Sequence, residues 1–278
     1  MTATYLAATD MSPRSDLALR RAAWLADRHG ARVIVAHVVD DAAPMEIAAS
    51  LRDAAHAALE RFTASLSGNV SFDIRVDFGD PTADIVALVA AEAPDLLIMG
   101  THRPRPFLDA LRETTVQRIV RLTASPVLMV ADRVDHAYDH VVAASDFSPA
   151  SAAAIHLAHQ IAPEAGITPV HAFHVPYSGL MAYGGQGIDD VTASFQLEAV
   201  EDDARWRDST PLPPTCHPSV IAPGSVAQVL ADQIKATGAT LVTAGAHGRV
   251  GQGRAILGSV ATDLLRMPPC DVLIARPG

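Results

Sequence analysis

Short runs of branched apolar residues alternate along this chain with longer stretches in which apolar residues recur three and four positions apart. The first pattern reads as strand and the second as amphipathic helix. In the first half, strands are predicted over residues 4–9, 32–39, 70–76, 95–100 and 127–130. Between the first two, Ser12 is placed to cap a helix with Pro13 at its first position, where a missing N–H costs nothing. Leu17, Leu19, Ala22, Ala23, Leu25 and Ala26 supply that helix with an apolar face, and Gly30 ends it. Further helices are predicted over 44–66, from Gly79-Asp80-Pro81 through 91, and over 114–122. Strands separated by helices imply a mostly parallel sheet covered on both faces. In such sheets ligands bind at the carboxyl ends of the strands, where the strand order reverses.

The pattern occurs twice. Asp10-Met11-Ser12-Pro13-Arg14-Ser15 returns as Asp146-Phe147-Ser148-Pro149-Ala150-Ser151, 136 residues later. Asp95 to His102 returns as residues 239–247, and Pro126-Val127-Leu128-Met129-Val130 as Asp271-Val272-Leu273-Ile274-Ala275, both at an offset of 145. The second copy therefore holds about nine extra residues, most simply in the Gly-rich stretch 177–187. A repeat this long is a domain rather than a solenoid unit. The polar stretch 131–138 reads as the linker, giving domains at 1–134 and 138–278.

Composition narrows the function. Of 278 residues, 21 are Lys or Arg and 31 are Asp or Glu, and the net charge of -10 divides evenly between the halves. Neither half is a basic module, which argues against nucleic acid and against anionic membrane surfaces as partners. The single lysine, Lys235, follows no Gly-rich loop, so no Walker-type phosphate loop is present. Cys216 and Cys270 form no metal or redox spacing. No leader pattern opens the sequence and no apolar run is long enough to span a bilayer, so a cytoplasmic location is expected.

The chemistry concentrates after the fourth strand of the second copy. Gly245-Ala246-His247-Gly248 is followed after nine residues by Gly258-Ser259, the pattern G-x2-G-x9-G-S between a strand and a helix. Glycines let backbone amides approach an anion, and the helix opening at Ser259 offers its first N–H groups to phosphate. Asp146, at the end of the copy's first strand, suits a base or sugar better than a phosphate. The competing reading of the glycines is turn and helix–sheet packing; that of Asp146 and Asp10 is helix positioning, and that of Ser148 a helix cap.

These motifs, with Gly-Asp-Pro-Thr-Ala-Asp-Ile (79–85) ahead of Ala-Pro-Asp-Leu-Leu-Ile-Met-Gly (93–100), resemble the universal stress protein family in its tandem two-domain form. The resemblance covers essentially the whole chain. It implies two open five-stranded parallel sheets of order 3-2-1-4-5, an α/β fold of the HUP or adenine nucleotide alpha hydrolase-like kind. It also implies an ATP-binding stress-response or regulatory protein, with ADP or AMP as alternative ligands and Mg²⁺ as an accompanying ion. Carried over by position, Asp146 and Val175 would hold the adenine end. Ala244, Gly245, His247 and Gly248 would line ribose and phosphates, and Gly258, Ser259 and Val260 would bind the phosphates. The two copies would pack as an intramolecular pseudo-dimer through their last strands, with a further homodimer left open.

The first copy departs from the pattern. Gly100, Arg103, Glu113 and Thr114 occupy the motif positions, so two glycines are lost and a carboxylate stands where phosphate is expected. Pro104 and Pro106 remove two further N–H donors, whereas Arg103 and Arg105 offer compensating charge. Nucleotide is therefore expected in the second copy alone. No catalytic residue is assigned: Arg249 and Arg254 read as solvated loop residues, and the pairs His156/His159 and His171/His174 lack the further ligands of a metal site. A slow ATPase or nucleotide hydrolase, and a ligand-free interaction scaffold, stand as alternative functions.

Overall fold

A computed structural model describes residues 2–41, 45–66, 68–101, 113–131, 136–175, 188–247 and 257–276. The chain divides into two compact units, built mainly on residues 1–136 and 137–252.

The first unit runs β1 (Thr4–Ala8), α1 (Pro13–His29), β2 (Arg32–Asp40), α2 (Met45–Ala64), β3 (Phe72–Gly79), α3 (Pro81–Glu92), β4 (Leu96–Gly100), α4 (Thr115–Leu122) and β5 (Val127–Val130). Its strands lie in the order β3-β2-β1-β4-β5 and all their pairings are parallel. Leu6 at the centre pairs with Ile34 on one side and Leu97 on the other, and all three are fully buried. This burial on both faces is why the strands read as unbroken apolar runs. β3 extends to Gly79, three residues past its apolar run, because it stays paired with β2 as far as Asp40.

The helix boundaries follow their capping chemistry. Ser12 accepts a hydrogen bond from the Ser15 amide with Pro13 next to it, and Gly30 closes α1 at φ 63°. Asp80 caps α3 in the same way, accepting from the Ala83 amide at 2.6 Å. Trp24 on α1 lies under the Arg28 guanidinium, 4.0 Å from its ring centroid.

The second unit runs β6 (His140–Ala144), α5 (Pro149–Ile161), β7 (Gly166–Phe173), α6 (Ile188–Ser209), β8 (Val220–Pro223), α7 (Val226–Thr237), β9 (Leu241–Gly245), α8 (Ser259–Arg266) and β10 (Asp271–Ala275). Its order, β8-β7-β6-β9-β10, is that of the first unit with each strand replaced by its repeat partner. β6 sits between β7 and β9, so the carboxyl ends of β6 and β9 diverge toward helices α5 and α8. That is the reversal point at which an open parallel sheet forms a crevice. The predicted linker's last residue, Tyr138, is buried at 3% exposure, and residues 132–135 lie outside the described residues.

Gly100 and Gly245 hold equivalent places at the ends of β4 and β9. A Cβ at Gly100 would stand 2.7 Å from the Arg14 carbonyl oxygen. One at Gly245 would stand 2.8 Å from the Ala150 Cβ and 2.9 Å from its backbone. Arg14 and Ala150 are themselves repeat partners in the first turns of α1 and α5. In both units, then, this glycine admits the helix to the sheet. Gly245→Ala should cost about 1–3 kcal/mol by overpacking. Urea unfolding would read this as a lower midpoint at unchanged slope; an unchanged midpoint would mean that α5 retreats freely.

Candidate functional site

The site grows from the corner between β6 and α5. Ser145 follows the strand, and Phe147 takes a left-handed conformation at φ 61° to turn the chain into the helix. Three short polar side chains hold that turn. The Phe147 amide donates to Ser145 Oγ at 3.2 Å, and the Ser148 amide donates to Asp146 Oδ1 at 3.1 Å. Ser148 Oγ then caps α5 by accepting from the Ser151 amide at 3.3 Å, while the Ser151 hydroxyl donates to the Ser148 carbonyl at 2.8 Å. His171, on β7, binds the Ser145 carbonyl through Nδ1 at 2.9 Å, which fixes Nδ1 as the protonated nitrogen. Its ring stacks on Phe147 at 4.4 Å between centroids, and Phe147 in turn packs against Trp206 of α6 at 5.6 Å.

The first unit repeats this corner group for group. Met11 stands at φ 60°, Thr9 Oγ1 accepts from the Met11 amide at 2.9 Å, and Asp10 Oδ1 accepts from the Ser12 amide at 3.0 Å. His37 Nδ1 binds the Thr9 carbonyl at 2.9 Å. Desolvation alone would raise the Asp10 carboxyl, but the hydrogen bonds from Ser12 and Ser15 outweigh it and hold the group below its usual range. Asp10 and Asp146 thus each spend one oxygen on helix positioning.

In the second unit the corner forms one wall of a cavity of about 250 Å³. Ser145, Asp146 and Ser151 line that side, Val170, His171 and Ala172 line the β7 side, and Val226 contributes from the start of α7. The opposite wall is Ala244, Gly245 and His247 at the end of β9, with Gly258, Ser259, Val260 and Ala261 at the start of α8. Seven of the predicted site residues, Asp146, Ala244, Gly245, His247, Gly258, Ser259 and Val260, therefore face one space. Val175 does not: it is buried at 7% exposure in an apolar cluster with Phe173 and Ala199. Gly248, Arg249 and Arg254 lie outside the described residues, as do His102, Arg103, Pro104, Arg105, Pro106 and residues 177–187.

The start of α8 is fixed by backbone. The Gly258 amide donates to the Ala246 carbonyl at 2.8 Å, and the Gly258 carbonyl accepts the first intrahelical bond, from Thr262, at 2.9 Å. The amides of Ser259, Val260 and Ala261 are then the helix's orphan donors, and among the described residues no acceptor meets them. Such a group of N–H donors at the positive end of a helix dipole fits phosphate oxygens. Asp146 lines the opposite wall of the cavity.

The equivalent helix of the first unit is capped by its own side chains. Thr114, in the place of Ser259, caps α4 by accepting from the Gln117 amide at 3.2 Å, and the Gln117 side chain accepts from the Thr114 amide at 2.9 Å. This reciprocal capping box occupies the Thr114 amide, the counterpart of the Ser259 amide that α8 leaves open, together with the Gln117 amide. Glu113, in the place of Gly258, is bound by Arg121 through two hydrogen bonds of 2.9 and 3.0 Å. The Arg121 hydrogen bonds, opposed by some desolvation, hold its carboxyl below the usual range, so it stays charged. The expected obstacles were the Glu113 charge, the two lost glycines and the donors removed by Pro104 and Pro106. The capping box adds another, and its signal, Thr-x-x-Gln over 114–117, is plain in the sequence.

His247 has a distinct environment. Its Nδ1 is buried and meets no hydrogen-bond partner among the described residues. Desolvation first, and then the Arg276 charge, push its basicity below that of an ordinary histidine. Elsewhere among the described residues no group of three or more His, Cys, Asp or Glu is arranged to hold a metal. His159 instead pairs with Thr215 at 3.2 Å, and neither cysteine forms a disulfide among the described residues. Ser145, Ser151, His171 and Val226 line the cavity without having been singled out as binding residues. The recurrence of Thr9/Ser145 and His37/His171 at matching places in the two copies was the available signal.

An open parallel sheet with a crevice at its reversal point, flanked by a Gly-opened helix start, defines a phosphate-compatible α/β protein. Two matches of the family model described as the universal stress protein family, over residues 1–131 and 137–276, place it further: the chain belongs to that family. Universal stress protein A homolog 1 of Coxiella burnetii is 29% identical over 144 residues, covering 49% of this chain and 94% of that protein. A universal stress protein of Archaeoglobus fulgidus superposes with a TM-score of 0.69 at 18% identity, covering 99% of this chain and 98% of the other. A putative universal stress protein of Pseudomonas aeruginosa gives 0.63 at 19%, covering 99% and 94%. At these identities the two structures attest the fold. No helix among the described residues is long and apolar enough to cross a membrane.

Two outcomes follow from the geometry. Gln117→Ala opens the capping box and should destabilise the first unit by about 0.5–2 kcal/mol, read by denaturant unfolding. His247 is less basic folded than unfolded, so below about pH 6.5 the unfolded chain takes up a proton that the folded chain does not. Its contribution to stability is therefore complete above about pH 6.5 and declines as pH falls toward the folded value. The melting temperature of His247→Asn should fall less than that of the wild type on acidification, and parallel curves would contradict this.

Proposed function

We propose that this chain is an adenine-nucleotide-responsive regulatory protein of the stress response, with the nucleotide held by the second unit. The ligand is ATP, or ADP or AMP in its place, with Mg²⁺ accompanying the phosphates. In this reading residues 138–278 form the binding domain and residues 1–134 a domain whose equivalent site is closed. Asp146 contacts the sugar or base, while Gly258, Ser259 and Val260 take the phosphates and Gly245, His247 and Ala244 line the space between. The observation that carries the reading is the contrast between two repeats of one helix start. Ser259, Val260 and Ala261 at the start of α8 line a cavity, whereas the start of α4 carries a capping box that occupies the Thr114 amide and a Glu113 carboxylate in the place of Gly258.

The first test is the identity of what the protein carries. Denaturing freshly purified protein and analysing the released small molecules by mass spectrometry should yield about one adenine nucleotide per chain, from one open helix start of two. Two per chain would mean that the first unit binds despite its capping box. The second test is Gly258→Glu, which places in the second unit the carboxylate that the first carries at Glu113. It should abolish nucleotide binding in a calorimetric titration while the unfolding midpoint stays within about 1 kcal/mol of wild type. Retained affinity in that folded variant would refute the phosphate assignment.

A further inference from the structure

The described wall of the cavity contains Asp146 and the histidines His171 and His247, and no Lys or Arg. On this described wall an anion is met by neutral donors, the amides of α8 and the Ser259 hydroxyl, and by any group there that gains charge when the anion arrives. His171 already commits Nδ1 to the Ser145 carbonyl and its ring face to Phe147. His247 is differently placed. It directly follows Ala246, whose carbonyl accepts the Gly258 amide, so it stands beside the helix start that offers the anion site. Its Nδ1 is buried and has no hydrogen-bond partner among the described residues.

We propose that His247 couples anion binding in this cavity to proton uptake, so that the site fills more readily as the pH falls. The inference rests on the nucleotide reading given above and names a regulation of that site. The Arg276 charge, after β10, acts on the ring, and Asp146 from the β6–α5 corner and His171 from β7 line the same cavity. Desolvation and the Arg276 charge disfavour the protonated ring before ligand binds. A phosphate on the α8 amides adds negative charge beside it and favours the imidazolium. Whatever raises a group's proton affinity is bound more tightly by its protonated form, by linkage. Acidification of the surrounding solution then raises nucleotide occupancy without any change in nucleotide concentration.

The test compares wild type with His247→Asn and His247→Gln, each titrated with ATP and with cyclic AMP between about pH 8 and pH 6. Taking the ratio of wild-type to variant affinity cancels the ligand's own titration and that of Asp146 and His171. The ratio should rise severalfold as pH falls, with a ceiling of about tenfold per pH unit for one proton. Calorimetry of the wild type in two buffers of different ionisation enthalpy should also report net proton uptake, a reading that does not depend on how the variants fold. A constant ratio without proton uptake overturns the inference and leaves the nucleotide site standing. Failure of both nucleotides to bind at either pH overturns the site and the inference together.

Discussion

Each unit depends on one backbone residue held in the left-handed region at the end of its first strand. Met11 and Phe147, at φ 60° and 61°, turn a buried central strand into a helix within four residues. For a residue with a side chain this conformation costs about 1–3 kcal/mol, and it persists only where its surroundings determine it. The surroundings are the hydroxyl before it, the carboxylate beside it and the capping serine after it, with a second-strand histidine on the preceding carbonyl. This corner sets where the helix starts. The glycine at the end of the neighbouring strand then has to make room for that helix's first turn. Both features serve the fold first, and in the second unit they also bound the cavity.

The two units show how little separates an open helix start from a closed one. Both have the corner, the strand-end glycine and an eight-residue helix after the fourth strand. In the first, Thr114 and Gln117 cap the helix end with side chains, and Glu113 before them is held by Arg121. In the second, Gly258, Ser259 and Thr262 stand in those places, and the helix begins one residue earlier on a backbone cap. The sheet order around them is the same.

Most of the fold was legible because its determinants are local. Ser12 with Pro13, Asp80 with Pro81, and Gly30 mark helix ends by chemistry that acts within a few residues. The β3 boundary was less so, since its last residues are polar on one side and stay extended only through pairing with β2. The candidate site divides in the same way. The residues of the Gly-spaced motif are near one another in sequence and were found together. His171 and Val226 reach the cavity from β7 and α7, which only the tertiary fold brings near β9. Val175 was assigned to the site by resemblance, but its apolar side chain is sequestered with Phe173 and Ala199.

The contact between Phe147 and Trp206 has a practical consequence. The chain holds two tryptophans, Trp24 on α1 and Trp206 on α6, so each unit carries its own indole. Trp206 is buried against an aromatic pair whose histidine lines the cavity, and Trp24 lies under an arginine in the other unit. Replacing either tryptophan with phenylalanine leaves a single emitter native to one unit. The protein is thereby a spectroscopically divided molecule, in which the unit that carries the cavity and the unit that carries the capping box can each be followed by its own intrinsic fluorescence.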